Sequence, residues 1–132
     1  MASVMDYFDI KAVAEASPDF RRVLWTGVHT QLVVMTIPPH GEIGGEVHEE
    51  NDQILHFVAG RGRADVAGET REIGPGDLVV VPAGTEHNFV NTGNGPLVLT
   101  TIYGPPDHAP GTVHATKEEA DADEADVPPQ EQ

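Results

Sequence analysis

Glu46 and His48 stand one residue apart in a Gly-rich stretch, GEIGGEVHEE, at residues 41–50. On an extended chain alternate residues project to the same face, so this carboxylate and imidazole lie side by side, roughly 7 Å apart along the strand. Oxygen and nitrogen donors in that arrangement suit a divalent ion such as Fe(II), Mn(II), Ni(II) or Zn(II), and the donor types do not distinguish among these. A second imidazole, His87, follows the turn Pro82-Ala83-Gly84. It shares strand parity with Phe89 and Asn91, a placement that suits the inside of a β barrel. Each residue also has a plainer reading. His48 and His87 would serve as hydrogen-bonded histidines of a polar pocket, and Glu46 as a rim residue, with Glu49 or Glu50 reaching an ion instead. Shared parity with His48 favours Glu46.

These residues need strands to place them, and the chain supplies strand signals at short intervals. Val79-Val80-Val81 is a β-branched run that reads as a buried strand, stopped by Pro82 and Gly84. Further strands are predicted at Phe20–Thr26, Thr30–Ile37, Gln53–Ala59, Arg63–Val66, Thr70–Ile73 and Leu97–Tyr103. Turn residues separate them: Pro38-Pro39, Gly60-Arg61-Gly62, the hairpin pair Ala67-Gly68, Gly74-Pro75-Gly76 and Thr92–Gly95. Many short strands divided by turns predict an all-β sandwich or barrel. A short helix is expected at Ile10–Ala16, capped by Asp9 and ended at Ser17-Pro18. The phase of the strand from Gln53 turns Leu55 and Phe57 inward and leaves His56 outside. His29, His40, His108 and His114 fall in turns or tails and read as structural or solvated.

At 132 residues the chain is long enough for one domain with a real core. Seven basic residues against 22 acidic ones give a net charge of −15, which predicts repulsion from nucleic acids and anionic membranes. With no cysteine there is no disulfide framework and no thiolate chemistry. The start MASVMDYFDI lacks the basic and apolar regions of a signal peptide, and no apolar run approaches a membrane span, so a soluble cytoplasmic protein is expected. Residues 117–132 hold one lysine and seven acids, a net of −6. Thr116-Lys-Glu-Glu119 fits a capping box for a short helix, beyond which Val127–Gln132 is expected to be disordered and solubilising.

Gly76-x5-Pro82-x-Gly84-x2-His87-x3-Asn91 resembles the second sequence motif of the cupin superfamily, with every fixed position filled. The first cupin motif is matched in part. Gly60 stands at its final glycine, Gln53 at its glutamate, His48 at its second histidine and Glu46 at its first. The resemblance covers about residues 20–104. It implies a double-stranded β-helix, a small jelly-roll barrel, with residues 1–19 as an N-terminal extension and 105–132 as a C-terminal one. It further implies one divalent metal ion in the barrel mouth, held by Glu46, His48, Gln53 and His87. The usual set of three histidines and one glutamate brings one negative charge, and this set brings one as well. Gln53 is the weakest donor, either a ligand or a hydrogen-bond partner of metal-bound water. The resemblance also implies a homodimer, since small cupins often pair through their sheets.

Fold does not choose the activity. The expected wall residues Met35, Leu55, Phe57 and Phe89 are apolar. No convergent Arg or Lys pair of the kind a phosphosugar requires is evident in the sequence. A metal-dependent enzyme on a small organic substrate, of oxygenase or isomerase type, is the first reading. The alternatives are a non-catalytic module that binds a small ligand or the metal, and a structural barrel that pairs with another protein.

Overall fold

The computed structural model describes residues 5–126, so Val127–Gln132 lie outside the described residues. Within that span one helix, α1 (Ile10–Ala16), precedes ten strands: β1 (Arg21–Thr26), β2 (Gln31–Ile37), β3 (Glu46–Val47), β4 (Asp52–Ala59), β5 (Gly62–Val66), β6 (Glu69–Ile73), β7 (Leu78–Val81), β8 (Glu86–Asn91), β9 (Leu97–Gly104) and β10 (Val113–His114). A second helix, α2 (Lys117–Asp126), follows. Six strands form one sheet in the order β10-β1-β2-β9-β4-β7, and four form the other in the order β3-β8-β5-β6. All of these pairings are antiparallel. The all-β jelly-roll class expected from the sequence is what the chain adopts. Among the described residues the sheets share no strand, so the barrel is a flattened one, two sheets facing across a core. No helix of the described residues is long and apolar enough to cross a membrane.

Cross-strand register stacks that core in layers. Gln31, Tyr103 and Gln53 are neighbours across β2, β9 and β4 at one end. Below them come Val33, Thr101 and Leu55, then Met35, Leu99 and Phe57. The upper layer is polar and the lower ones are apolar, so the sheet itself separates a site from a core. Phe89 of β8 closes the core from the facing sheet, its ring centroid 5.7 Å from that of Phe57. His56 is exposed, as its parity requires. On the outer side of the large sheet α1 covers Val34 and Val98 with Ala14.

The hairpin at Ala67-Gly68 has φ of 51° and 84°, both left-handed, the pattern of a two-residue type I′ turn. Three local features differ from expectation. Asp9 occupies the position before α1, but its side chain makes no capping hydrogen bond. The stretch 42–50 is mostly irregular, with only Glu46–Val47 in a strand, because its glycines favour turns over a ladder. Val113–His114 pair with Arg21 and Arg22, an addition too short to leave a periodic signal. Helix α2 runs to Asp126 and buries Ala120 in the core. Its cap is the expected one: the Glu119 N–H donates to Thr116 Oγ1 at 3.1 Å, while the Ala115 N–H donates to Glu119 Oε1 at 3.2 Å.

Candidate metal centre

Glu46 on β3 lies directly opposite His87 on β8. His48 leaves β3 with the same parity as Glu46, and its ring sits 5.3 Å, centroid to centroid, from that of His87. One ligand atom from each of Glu46, His48 and His87 falls within 4.8 Å of the others, a group that could hold a metal ion. Glu46 Oε1 is 3.6 Å from His48 Nε2.

The turn after β7 holds this arrangement. Gly84, at φ 78°, donates its N–H to the His48 carbonyl at 2.8 Å. Ala83 N–H donates to Asp52 Oδ1 at 2.9 Å. The segment that delivers His87 thereby clamps the loop that delivers His48. His87 Nδ1 donates to the Thr85 carbonyl at 2.9 Å, since a carbonyl only accepts. That fixes the tautomer and leaves a lone pair on Nε2. His87 Nε2 is buried without a hydrogen-bond partner, and so is His48 Nε2. Buried polar atoms are rarely left unmet, so these two nitrogens ask for an acceptor of lone pairs.

Gln53 is buried beneath them. Its amide nitrogen donates to Thr101 Oγ1 at 3.0 Å and to Tyr103 Oη at 3.2 Å. Its Oε1 remains buried and unmatched, the third such atom at this end of the core. Two imidazole nitrogens, a carboxylate and an amide oxygen, with the far nitrogens of both rings and the Gln53 amide group facing protein partners, are donor types that fit a divalent cation.

Two residues of this corner escape sequence reading. Asp107, on the loop after β9, places Oδ2 3.5 Å from His48 Nδ1 and 3.5 Å from His108 Nε2. His108, expected among the structural or solvated histidines, instead meets Tyr103 edge-on at 5.3 Å. Buried Gln31 pins this loop: its Oε1 accepts the N–H groups of Asp107 and His108 at 3.0 and 2.9 Å, and its Nε2 donates to the His108 carbonyl at 2.7 Å. Asn51 Nδ2 donates to the Pro105 carbonyl. No motif marks this loop; the run Pro105-Pro-Asp-His108 reads as an ordinary turn.

Electrostatics follow from this crowding. Burial opposes a charge on His48, but the carboxylates of Asp107 and Glu46 beside it outweigh that and push the imidazolium pKa up to about 10. Burial likewise opposes the Asp107 carboxylate, and its hydrogen bond to His48 holds the pKa below the usual value. His108 goes the other way: burial, helped by the positive charge of Arg21, lowers it to about 4. Without a metal, the site therefore carries a proton on His48.

A family model for the Cupin domain matches residues 33–103, a span that contains every proposed ligand. The chain is 42% identical over 122 residues to the uncharacterized protein YrkC of Bacillus subtilis, covering 88% of this chain and 66% of YrkC. It thus spans just under two thirds of that relative. Among solved structures it resembles BH2720 of Bacillus halodurans with a TM-score of 0.88 and 40% identity, covering 89% of this chain and 93% of that one. A predicted oxalate decarboxylase from Thermotoga maritima aligns at 25% identity and a TM-score of 0.57, covering 60% and 69% of the two chains.

Proposed function

This chain belongs to the Cupin domain family, and from that premise we propose that it binds one divalent metal ion through Glu46, His48 and His87, with Gln53 as fourth donor or its neighbour, and acts as an enzyme on a small organic substrate. The chemistry is of oxygenase or isomerase type. The observation that carries the reading is the pair of buried imidazole nitrogens, His48 Nε2 and His87 Nε2, that find no hydrogen-bond partner while the Glu46 carboxylate falls beside the two rings.

The ion, Fe(II), Mn(II), Ni(II) or Zn(II), supplies a Lewis acid or a centre for activating oxygen. The chain supplies the rest. Thr85 and Asp107 hold the far nitrogens of His87 and His48, which sets both rings. Gln53 is aimed by Thr101 and Tyr103. Phe57, Phe89 and Leu55 seal the floor against water. The similarity to a predicted oxalate decarboxylase supports a catalytic use of the fold over a purely structural one.

The test is elemental analysis of protein purified without a histidine tag, followed by aerobic turnover of candidate substrates in Fe(II)- and Zn(II)-loaded forms. About one ion per chain, with turnover confined to the Fe(II) form, supports the oxygenase reading. Activity in both forms favours isomerase chemistry. Protein that stays metal-free in the presence of each of the four ions rejects the proposal.

A further inference from the structure

Arg21 is 3% exposed, with its strand parity directed into the fold beside Val23. No carboxylate oxygen among the described residues comes within 4.0 Å of its guanidinium. Its hydrogen bond is from Nη1 to His114 Nδ1 at 3.2 Å, and His114 in turn donates from Nε2 to Asp123 Oδ2 at 2.9 Å. The Phe20 ring lies 5.5 Å from Cζ. Nε is shut away from solvent with no partner at all. A buried cation without a counter-ion gives up its hydration and gains little in return, which is among the costlier arrangements a small domain can hold.

The position of this charge matters as much as its isolation. Its field reaches both Asp107, which abuts His48, and its neighbour His108. His108 Nε2 is also buried without a hydrogen-bond partner. Of the carboxylates around this charge and the proposed ion, Asp123 reaches Arg21 only through His114, and neither Glu46 nor Asp107 comes within 4.0 Å of it.

We propose that Arg21 is the anion-binding residue of this site, taking the carboxylate of a small monocarboxylic acid whose other end lies toward the proposed metal. The position of that other end rests on the metal reading above; the need of Arg21 for an anion does not. A single guanidinium with Asp107 nearby favours one negative charge over the two of a phosphate. The chain of His114 and Asp123 serves to hold Arg21 in place.

The experiment uses the full chain, Zn(II)-loaded and metal-stripped, with sodium acetate and propionate as probes. Acetamide and sodium chloride at matched ionic strength are the controls. Nuclear magnetic resonance follows the Arg21 Nε–H, and thermal melting follows binding through the stabilisation that a native-state ligand confers. The expected result is that the carboxylates move the Arg21 resonance and raise the melting temperature, whereas acetamide does neither. Affinity falls at least tenfold in Arg21→Gln and is partly recovered in Arg21→Lys. Removing an unpaired buried charge leaves the probe-free Arg21→Gln protein at least as stable as wild type. If that variant fails to fold, the wild-type resonance alone decides. Equal responses to acetate and acetamide, equal affinity in Arg21→Gln, or a preference for phosphate over acetate overturns the proposal. Full metal occupancy with an Arg21 indifferent to carboxylates rejects this inference alone. A carboxylate-responsive Arg21 in a chain that binds no metal supports it and rejects only the metal reading.

Discussion

His48 and His87 offer the two nitrogens on which the site depends, so replacing both with alanine should abolish metal binding while the barrel stays folded, as read by metal stoichiometry and circular dichroism. Asp107→Asn should weaken binding by roughly 10–100-fold, since the partner that orients a ligating imidazole is worth about that much. Proton linkage gives a third expectation. The pKa of His48 is raised to about 10 in the metal-free protein, so near neutral pH an incoming ion must displace its proton. Affinity should therefore rise with pH, by about tenfold per unit while one proton is released, and calorimetry in buffers of different ionisation enthalpy should count that proton. The part of this site written in the sequence is the part that obeys parity and motif spacing: Glu46, His48, Gln53 and His87. Asp107 and His108 come from an irregular loop whose course is set by the buried amide of Gln31, a tertiary fact with no local signature. Arg21 was open to the same parity argument as Val23, yet a charged residue in a strand ordinarily faces water.

Turns carry the most local information in this fold, and the turn at Gly84 is the one on which the site depends. Its φ of 78° is left-handed, so Gly84→Ala should cost about 1–2 kcal/mol in a denaturant titration. Because the same residue donates to the His48 carbonyl, the variant should lose metal affinity as well. Thr116→Ala removes the cap of α2 and should cost about 1 kcal/mol. The strands were legible wherever β-branched runs met glycine or proline, as at Val79–Val81 and Ala67-Gly68. They were illegible where only two residues pair, as in β3 and β10, because so short a ladder is decided by its partner strand. The acidic end of α2 does more than solubilise: Asp123 accepts a hydrogen bond from His114, which bonds Arg21. Deleting residues 121–132 should lower the melting temperature relative to deleting 127–132.

Across the outer face of the large sheet Trp25, Leu32, Ile102, Ile54 and Val80 stand in one register row, free of charge and each at least partly exposed. If the expected homodimer forms, this row should seat the second copy, and on a chain of net charge −15 salt should strengthen the pairing by screening repulsion. Sedimentation should show two chains for the wild type and one for Ile102→Glu; a wild type that sediments as one chain removes the dimer. The pairing of β1 with β10 has a consequence for how the protein is made. The partner strand of one edge of the large sheet, Val113–His114, is translated after every other strand of both sheets. Until Val113–His114 arrive, β1 presents an open row of amides and carbonyls, the kind of template on which nascent chains join one another. Messages that stop short of residue 113 should accordingly yield insoluble product, and co-translational chaperones should be found bound to ribosomes stalled just before that point.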